Sequence, residues 1–242
     1  MKRSWLLKFL FVQFVSQTRT ESSECSVTQS ALSESCVCVS GSHLQCSGLN
    51  TTAPLRTLEA RSVTRVEITQ SHLPCLDLHD FADFDAISSL SVTRSGLSHL
   101  LCSEPGGQGR HHHDPVIRKL KHLSSLDVSH NKLASLDASL TSFSRLRHLN
   151  VSHNRLRTLK PVFGAFKRLE SLDLSHNRLT AALDPRVLQE VPATRLARLD
   201  LAHNPWPCVP ALSWLYPWSL SLPLHVQVSQ RKSEVKKRFL IF

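Results

Sequence analysis

Residues 169–179 read LESLDLSHNRL, and close copies of this stretch recur along the chain of 242 residues. The copy at residue 123 reads LSSLDVSHNKL, and the copy at residue 146 reads LRHLNVSHNRL. Each copy fits the pattern L-x-x-L-x-L-x-x-N-x-L, and successive starts are 23 to 36 residues apart. A pattern repeated at such intervals predicts a solenoid in which each repeat forms one coil. The six starts are Val63, Ile87, Leu123, Leu146, Leu169 and Leu196.

The pattern assigns a role to each kind of residue. Apolar residues at positions 1, 4 and 6 flank a short strand, which stacks about 4.8 Å from the strand of the next coil in a parallel sheet. Asn at position 9 has a donor and an acceptor, so it can pair backbone groups that the turn would otherwise bury alone. The first two repeats have Ser71 and Ser95 there instead. We expect a structural ladder of Asn131, Asn154, Asn177 and Asn204.

These repeats resemble those of the leucine-rich repeat family, and the likeness extends over about residues 36–218. The resemblance implies an α/β fold: a leucine-rich repeat solenoid with a curved parallel β-sheet, about six coils and a disulfide-bonded N-terminal cap. This architecture serves many binding functions, so the resemblance alone does not name a ligand.

Four of the seven cysteines cluster ahead of the repeats. In an exported chain such a cluster indicates disulfides rather than a metal site, because paired C-x-x-C motifs are absent. The cluster also looks like the N-terminal cap of extracellular leucine-rich repeat proteins. The four residues are Cys25, Cys36, Cys38 and Cys46.

The other three cysteines lie within and after the repeats. Cys75 and Cys102 occupy positions 13 and 16 of adjacent coils, where they could meet. We predict a disulfide between them, with two buried thiols as the alternative. Cys208 belongs to a stretch that looks like the start of a C-terminal cap, but the family's cap has several cysteines and this chain has one there.

Composition shifts divide the chain into segments. The N-terminus has a basic start and an apolar run from Trp5 to Val15, as in a secretory signal peptide, although a cytosolic N-terminal helix is the alternative. The cysteines favour export and an extracellular location. We expect a signal peptide at 1–20, an N-terminal cap at 21–62, leucine-rich repeats at 63–203 with a loop insertion at 103–115, a partial C-terminal cap at 204–224, and an unstructured basic tail at 225–242.

Residues 205–224 are uncharged and largely apolar, and a basic run follows them. This arrangement imitates a membrane span with its stop signal. Five prolines in the segment make a continuous helix implausible. We therefore expect no membrane span in this chain.

The net charge of +10 suggests a nucleic-acid partner, but the positions of the charges argue against one. The first 20 and last 14 residues contain nine of the 29 basic residues and one of the 19 acidic residues. The middle is therefore nearly neutral, with no excess of Lys and Arg for a phosphate backbone to meet. We expect no nucleic-acid partner.

Side chains alternate along a strand, so positions 2, 3, 5 and 7 to 8 should line the open face of the sheet. Position 5 is mostly acidic, and position 8 is His in the last four repeats. The open-face residues that we expect to contact a partner are Arg65, Glu67, Ser125, Asp127, His148, Asp173, Arg198 and Asp200.

The four position-8 histidines, His130, His153, His176 and His203, have two interpretations. One is a pH-responsive or metal-binding stripe. The other, which we favour, is a repeat residue chosen for turn geometry and solubility, because stacked imidazoles would mostly face solvent. The loop sequence HHHD at 111–114 favours at most adventitious zinc or nickel binding, since ordering a loop is costly. We expect no metal site and no cofactor.

Enzymatic signatures are absent from the sequence. There is no G-x-S-x-G elbow for a nucleophile, no Walker loop and no G-x-G-x-x-G. We expect no catalytic residues and no enzymatic activity.

Two N-glycosylation sequons begin at Asn50 and Asn150. A glycan on Asn150, at strand position 5, would obstruct the open face and move binding to a basic flank. That flank is either a solvated surface or a site for an acidic glycosaminoglycan. Its residues are Arg145, Arg147, Arg155, Arg157, Lys160, Lys167 and Arg168.

The sequence thus favours a secreted, non-enzymatic protein that binds an extracellular or cell-surface protein. The resemblance suggests cell adhesion, innate-immune recognition or regulation of signalling. The alternative is a truncated ectodomain of a membrane-anchored leucine-rich repeat receptor, which the missing cap cysteines favour and the absence of a credible span opposes.

Overall fold

The computed structural model of the chain describes residues 35–58, 60–102, 120–136, 140–141, 143–159, 163–180 and 195–206, and the backbone of 225–227. These residues form one nine-stranded sheet in which the strands follow one another in chain order. The strands are β1 Cys36–Ser40, β2 His43–Ser47, β3 Arg65–Thr69, β4 Ser89–Thr93, β5 Ser125–Asp127, β6 His148–Asn150, β7 Ser171–Asp173, β8 Arg198–Asp200 and β9 His225–Gln227.

The sheet begins with an antiparallel hairpin, and every later pair is parallel. The position-4 residues of successive repeats are direct partners, so no strand slips in register. This holds even between β4 and β5, where the repeat is 36 residues long. The predicted parallel solenoid is confirmed, and β2 extends it into the segment predicted as the N-terminal cap.

The core lies under the strands. The aliphatic residues at positions 1, 4, 6 and 11 are almost completely excluded from solvent. Phenylalanines also fill the core in three of the coils, and Phe81, Phe84, Phe163 and Phe166 are among the largest fully buried side chains. Burial is therefore shared between neighbouring coils, as expected of a solenoid.

The chain returns from one strand to the next through short 3-10 helices. In the described residues these are Ala53–Thr57, Leu78–Phe81, Leu120–His122 and Phe163–Ala165, and no α-helix occurs there. A 3-10 helix rises about 2.0 Å per residue against about 1.5 Å for an α-helix, so it crosses a coil with fewer residues. The predicted helical layer is therefore present only as single turns.

Asparagine side chains join the coils beneath the turns. Asn154 Nδ2 donates to the carbonyl oxygens of Val128, Val151 and Ser152 at 2.9–3.1 Å, and its Oδ1 accepts from Leu133 N at 3.0 Å. Asn131, Asn177 and Asn204 make equivalent contacts. Each side chain thus pairs backbone groups of two coils.

Serine fills the same position in the first two repeats. Ser71 Oγ accepts from Leu49 N at 3.0 Å and donates to Thr69 O at 2.9 Å. A hydroxyl has one hydrogen to donate, whereas the amide has two. The ladder therefore has fewer side-chain hydrogen bonds at its N-terminal end.

Disulfides secure the N-terminal part of the sheet. Cys36 pairs with Cys46 across the β1–β2 hairpin, and Cys38 is also disulfide-bonded. The predicted bond between Cys75 and Cys102 is present, with Cα atoms 5.0 Å apart. It joins adjacent coils next to the short parallel bridge between Leu76 and Leu101. Cys25 and Cys208 lie outside the described residues.

The end of the sheet differs from expectation. The sequence predicts an unstructured tail from residue 225, but residues 225–227 form β9 and pair in parallel with β8. The uncharged HVQ stretch precedes the basic run that starts at Arg231, and pairing covers the edge that β8 would otherwise expose. The predicted signal peptide at 1–20, the predicted loop at 103–115 and residues 207–224 lie outside the described residues. Among those that are described, no helix is long and apolar enough to cross a membrane.

Candidate binding surface

The predicted open-face residues lie in two adjacent rows on the strands. In the position-3 row, Arg65, His148 and Arg198 are exposed and Ser125 is half-buried. The position-5 row lies deeper: Glu67, Asp127 and Asp173 are half-buried, and Asp200 is only 8% exposed. Position 3 therefore offers the more accessible side chains.

The position-5 side chains also have a structural role that the sequence interpretation missed. In Asp127, Asp173 and Asp200, Oδ1 accepts a hydrogen bond of 2.9 Å from the backbone N–H two residues later. Asn150 makes the same contact to Ser152 N at 3.0 Å. Asp or Asn followed by a turn is typical of this local pairing, so the spacing was a usable signal. One oxygen of each group is thus committed to the backbone.

The N-terminal end of this row is linked across strands. Glu67 accepts a hydrogen bond from Gln45 Nε2 at 3.0 Å, and its other oxygen lies 3.3 Å from His43 Nε2. Further along, Asn150 Nδ2 donates to Asp127 Oδ2 at 3.1 Å. These contacts join position-5 side chains to side chains of the neighbouring strands.

Two carboxylates meet at the C-terminal end of the row. Burial raises the pKa of Asp200, its hydrogen bond from Ala202 N lowers it, and the negative charge of Asp173 raises it further. The pKa of Asp200 therefore lies above its ordinary value. A cationic partner group at this point would relieve the repulsion between the two carboxylates.

Position 8 has an unusual backbone conformation in every repeat. Its residues have positive φ: Gln70 49°, Arg94 50°, His130 56°, His153 53°, His176 53° and His203 56°. Histidine is enriched among non-glycine residues that adopt this left-handed conformation. The left-handed turn is compatible with His, but Gln70 and Arg94 adopt it as well, so turn geometry as the reason for the repeated His stays a prediction. Position 7, expected on the open face, is instead buried in the four complete repeats as Ser129, Ser152, Ser175 and Ala202.

The four histidines form a continuous stack, which we call the histidine column. Ring centroids of successive members are 4.1, 4.0 and 4.1 Å apart, with interplanar angles of 10° to 17°. Partial burial and the neighbouring imidazoles lower the pKa of His153 and of His176, while Asp173 raises both. His153 and His176 therefore resist protonation at pH values where an isolated histidine becomes charged.

Metal-site candidates do not assemble among the described residues. No group of three or more His, Cys, Asp or Glu side chains there could hold a metal ion. Stacked parallel rings direct their nitrogen atoms alongside one another rather than toward a common point. The HHHD stretch at 111–114 lies outside the described part of the chain.

The two predicted glycosylation sites differ in their surroundings. Asn50 is exposed, just after the β1–β2 hairpin. Asn150 is half-buried, and both ends of its amide are hydrogen-bonded, to Asp127 and to Ser152 N. A glycan on Asn150 Nδ2 would remove one of that nitrogen's two hydrogens from the network.

The predicted basic flank is divided by the sheet. Arg145, Arg147, Lys167 and Arg168 are exposed just before β6 and β7 begin, and Arg147 pairs with Glu170 at 2.8 Å. Arg155 and Arg157 follow the turn after β6, at the opposite end of the strands. Lys160 lies outside the described residues. Two separate basic edges therefore replace the single flank.

A concavity of about 440 Å³ lies at the second of these edges. The sequence interpretation missed it because its lining residues come from three successive coils. The signal was the basic residue two places after His in three of the four turns, as in HNR at 176–178. The lining residues are Arg157, Asn177, Arg178, Thr180, His203 and Pro205.

Two family models match the chain. One, described as Leucine rich repeat, matches residues 144–205, and another, Leucine Rich repeat, matches residues 119–139. The matched residues contain β5 to β8, with their asparagine ladder and histidine column. The chain therefore contains leucine-rich repeats over these residues.

Solved structures similar to this leucine-rich repeat protein share its fold at low identity. Internalin C2 of Listeria monocytogenes is 18% identical, with a TM-score of 0.50 over 73% of this chain and 65% of that chain. TLR13 in a TLR13–ssRNA13 complex is 19% identical, with a TM-score of 0.58 over 80% of this chain and 26% of that one. The Drosophila Toll–Spatzle complex gives 16% identity and a TM-score of 0.49, covering 61% and 18% of the two chains.

The leucine-rich repeat protein spans less than two thirds of the length of each of these three proteins. A search of curated proteins finds none that matches its sequence. The structural likeness therefore establishes the solenoid, and function has to be argued from the surface itself.

Proposed function

We propose that this leucine-rich repeat protein is a secreted, non-enzymatic binding module that holds another extracellular or cell-surface protein on the open face of its sheet. Cell adhesion, innate-immune recognition and regulation of signalling are the contexts that such a module serves. The observation that carries the proposal is the exposed position-3 row, in which Arg65, His148 and Arg198 lie on strands of one continuous sheet.

The shape and charge of the face suit a macromolecule. Small-molecule sites are concave and enclose most of their ligand. Here the position-3 and position-5 rows run side by side across the strands, with cations in one and carboxylates in the other. Such a pattern supports an extended protein partner whose charges alternate in the complementary sense.

We propose that the chain is exported because its cysteines form disulfides. Three cysteines of the N-terminal cluster and the pair Cys75 and Cys102 are disulfide-bonded. Stable structural disulfides form in oxidising compartments and are rare in the cytosol. We expect the chain in the culture medium of expressing cells, with these cysteines protected from alkylation. Retention inside the cell with free thiols would contradict the proposal.

The face itself is tested by binding to cell surfaces. We expect Arg65→Glu combined with Arg198→Glu to reduce binding of the purified chain at least about tenfold, since charged contacts at an interface are lost and reversed. Asp83→Arg combined with Asp85→Arg is the control, because it makes two charge reversals at exposed residues on the return side of a coil. Equal effects of the two variants, or none from the first, would exclude the open face as the binding surface.

A further inference from the structure

The edge of the sheet where the chain leaves the strands has a repeated basic character. We call it the exit rim: the exposed side chains at positions 8, 10 and 12 of the complete repeats. Position 8 supplies the histidine column, position 10 supplies Lys132, Arg155 and Arg178, and position 12 supplies Arg157. Because the strands are in register, each row advances by one side chain about every 4.8 Å.

Three residues of the rim line one concavity. Arg157, Arg178 and His203 line the same concavity of about 440 Å³, together with Asn177, Thr180 and Pro205. No acidic side chain is among these lining residues. The site thus offers two guanidinium groups and an imidazole to an anion, and none of the described residues that line it is acidic.

The nearest carboxylates are held on the strand side of the column. Asp173 and Asp200 direct Oδ1 to the backbone N–H groups of Ser175 and Ala202. They lie close enough to influence His153 and His176 electrostatically. A bound anion would therefore approach from the side of Arg155 and Arg178, away from the carboxylates.

The stacking of the column decides which kind of polyanion fits. Each inner ring has both faces covered by its neighbours at 4.0–4.1 Å, so its exposed part is the edge. Proteins that bind single-stranded nucleic acid rely on open aromatic faces on which bases stack. The phenylalanines in the described part of the chain cannot supply such faces either, because all of them are buried: Phe81, Phe84, Phe143, Phe163 and Phe166. The rim therefore suits anionic groups without bases.

We propose that the exit rim binds a sulfated glycosaminoglycan, with one sulfate group held between Arg157, Arg178 and His203 and the following groups contacting Arg155 and Lys132. This site is separate from the open face and goes beyond the protein-binding function proposed above. Charge-assisted hydrogen bonds from guanidinium to sulfate oxygens supply the contacts, and the row of cations follows a linear polyanion across successive coils.

Acidification adds charge to this site. At neutral pH the arginines and Lys132 are the cations, and the imidazoles are largely neutral. His153 is surrounded by His130, His176, His203 and Asp173, and His176 also by Asp200. A bound sulfate group offsets the mutual repulsion of the imidazoles, so binding takes up protons and strengthens as the pH falls.

The direct test measures binding of the full chain to immobilised heparin at pH 7.5. We expect Arg157→Ser combined with Arg178→Ser to weaken binding at least about tenfold, the change expected when charge-assisted contacts to one sulfate are lost. The matched control is Arg145→Ser with Arg168→Ser, which removes the same charge from the other edge of the sheet and should change affinity by less than about threefold. Equal losses in the two variants, or no binding of the wild type, would overturn the proposal.

Two further arms identify the ligand and the role of the histidines. Hyaluronan, a polyanion without sulfate, and poly(dT) should bind at least about tenfold more weakly than heparin, and equal binding of either would overturn the assignment.

Between pH 7.5 and 5.5 the affinity of the wild type for heparin should rise, and the rise should be smaller in a His153→Asn, His176→Asn, His203→Asn variant. Asn tolerates the left-handed backbone, so thermal melts should show that the variant is folded.

Discussion

Two neighbouring residues of each complete repeat point in opposite directions. His at position 8 is exposed, and Asn at position 9 is at most 8% exposed. The left-handed turn at the histidine allows this reversal, because it directs the next side chain under the strand. The histidine edge is thereby left to solvent, and the asparagine amide reaches backbone groups of two coils.

Removing one asparagine tests the structural role of position 9. Asn154→Ala leaves the N–H of Leu133 and three carbonyl groups without their amide partner. We expect a loss of about 2–3 kcal/mol, the upper range for buried groups that lose a hydrogen-bond partner. Urea denaturation of the purified chain measures it. Thr158→Ala, at an exposed site in the same coil, is the control and should change stability by less than about 0.5 kcal/mol. Similar losses in both would contradict the role of the ladder.

At the scale of single residues, the sequence predicted the role of the buried Asn at position 9 better than that of the exposed His at position 8. The donor and acceptor of Asn131 or Asn154 dictate its role wherever a turn is buried. The backbone conformation of His153 and the carboxylate pairing of Asp173 depend on local turn geometry, which the repeat pattern does not specify. The sequence therefore suggested the position-5 acids as binding residues, although Asp127, Asp173 and Asp200 also pair with the backbone.

Among the elements, the first two 3-10 helices are joined by a buried acid. Asp80 is 2% exposed, and it accepts hydrogen bonds from Thr52 Oγ1 and Arg56 Nε. Arg56 Nη2 also donates to Asp77 Oδ2 at 2.9 Å. The helix Leu78–Phe81 is thus tied to Ala53–Thr57 of the preceding coil. Such a contact fixes the return side of the solenoid where the repeat pattern is weakest.

Removing Arg56 should lower the free energy of unfolding, because a buried charge loses its partner. Arg56→Met leaves the carboxylate of Asp80 buried without its cation, and we expect a loss of about 2–3 kcal/mol, less than for a fully buried pair because Arg56 is half exposed. Adding Asp80→Asn should recover part of the loss, since an amide is cheaper to bury than a charge. Arg61→Met, at an exposed residue, is the control. A chemical denaturation midpoint that does not move in the single variant would refute the link.

The histidine column predicts a pH dependence of stability. In the folded chain the pKa of His153 and of His176 lies below the ordinary 6.5, which the unfolded chain retains. As the pH falls through 6.5, the unfolded state binds protons first, so stability is lost. At lower pH the raised pKa of Asp200 acts in the opposite sense, because the folded state then binds the proton first.

Thermal melting at pH 7.5 and 5.5 measures this effect. We expect the melting temperature to fall between the two pH values in the wild type, and to fall less in a His153→Asn, His176→Asn variant that keeps the turn geometry. A control at exposed histidines outside the column, His72→Asn with His99→Asn, should follow the wild type. An identical fall in all three proteins would show that the column does not titrate as described.

Over the whole molecule, the periodic pattern was enough to predict the architecture. Aliphatic residues at positions 1, 4 and 6 cannot be buried by one coil, so they require neighbours on both sides. The pattern could not show that the sheet starts at β1 within the cap or continues to β9, because neither segment carries the repeat motif. It also could not reveal the pocket between Arg157, Arg178 and His203, which exists only once three coils are stacked.

The central claim is that every repeat, whatever its length, forms one coil whose strand pairs in register with the next. The most direct measurement is oxidative cross-linking of Ser89→Cys with Ser125→Cys, direct partners on β4 and β5 across the longest repeat, followed by peptide mapping. Partners about 4.8 Å apart are within reach of a disulfide, so we expect this pair to link. Ser89→Cys with His148→Cys, two strands apart, should not link. No bond in the first pair, or an equal yield in the second, would contradict the account.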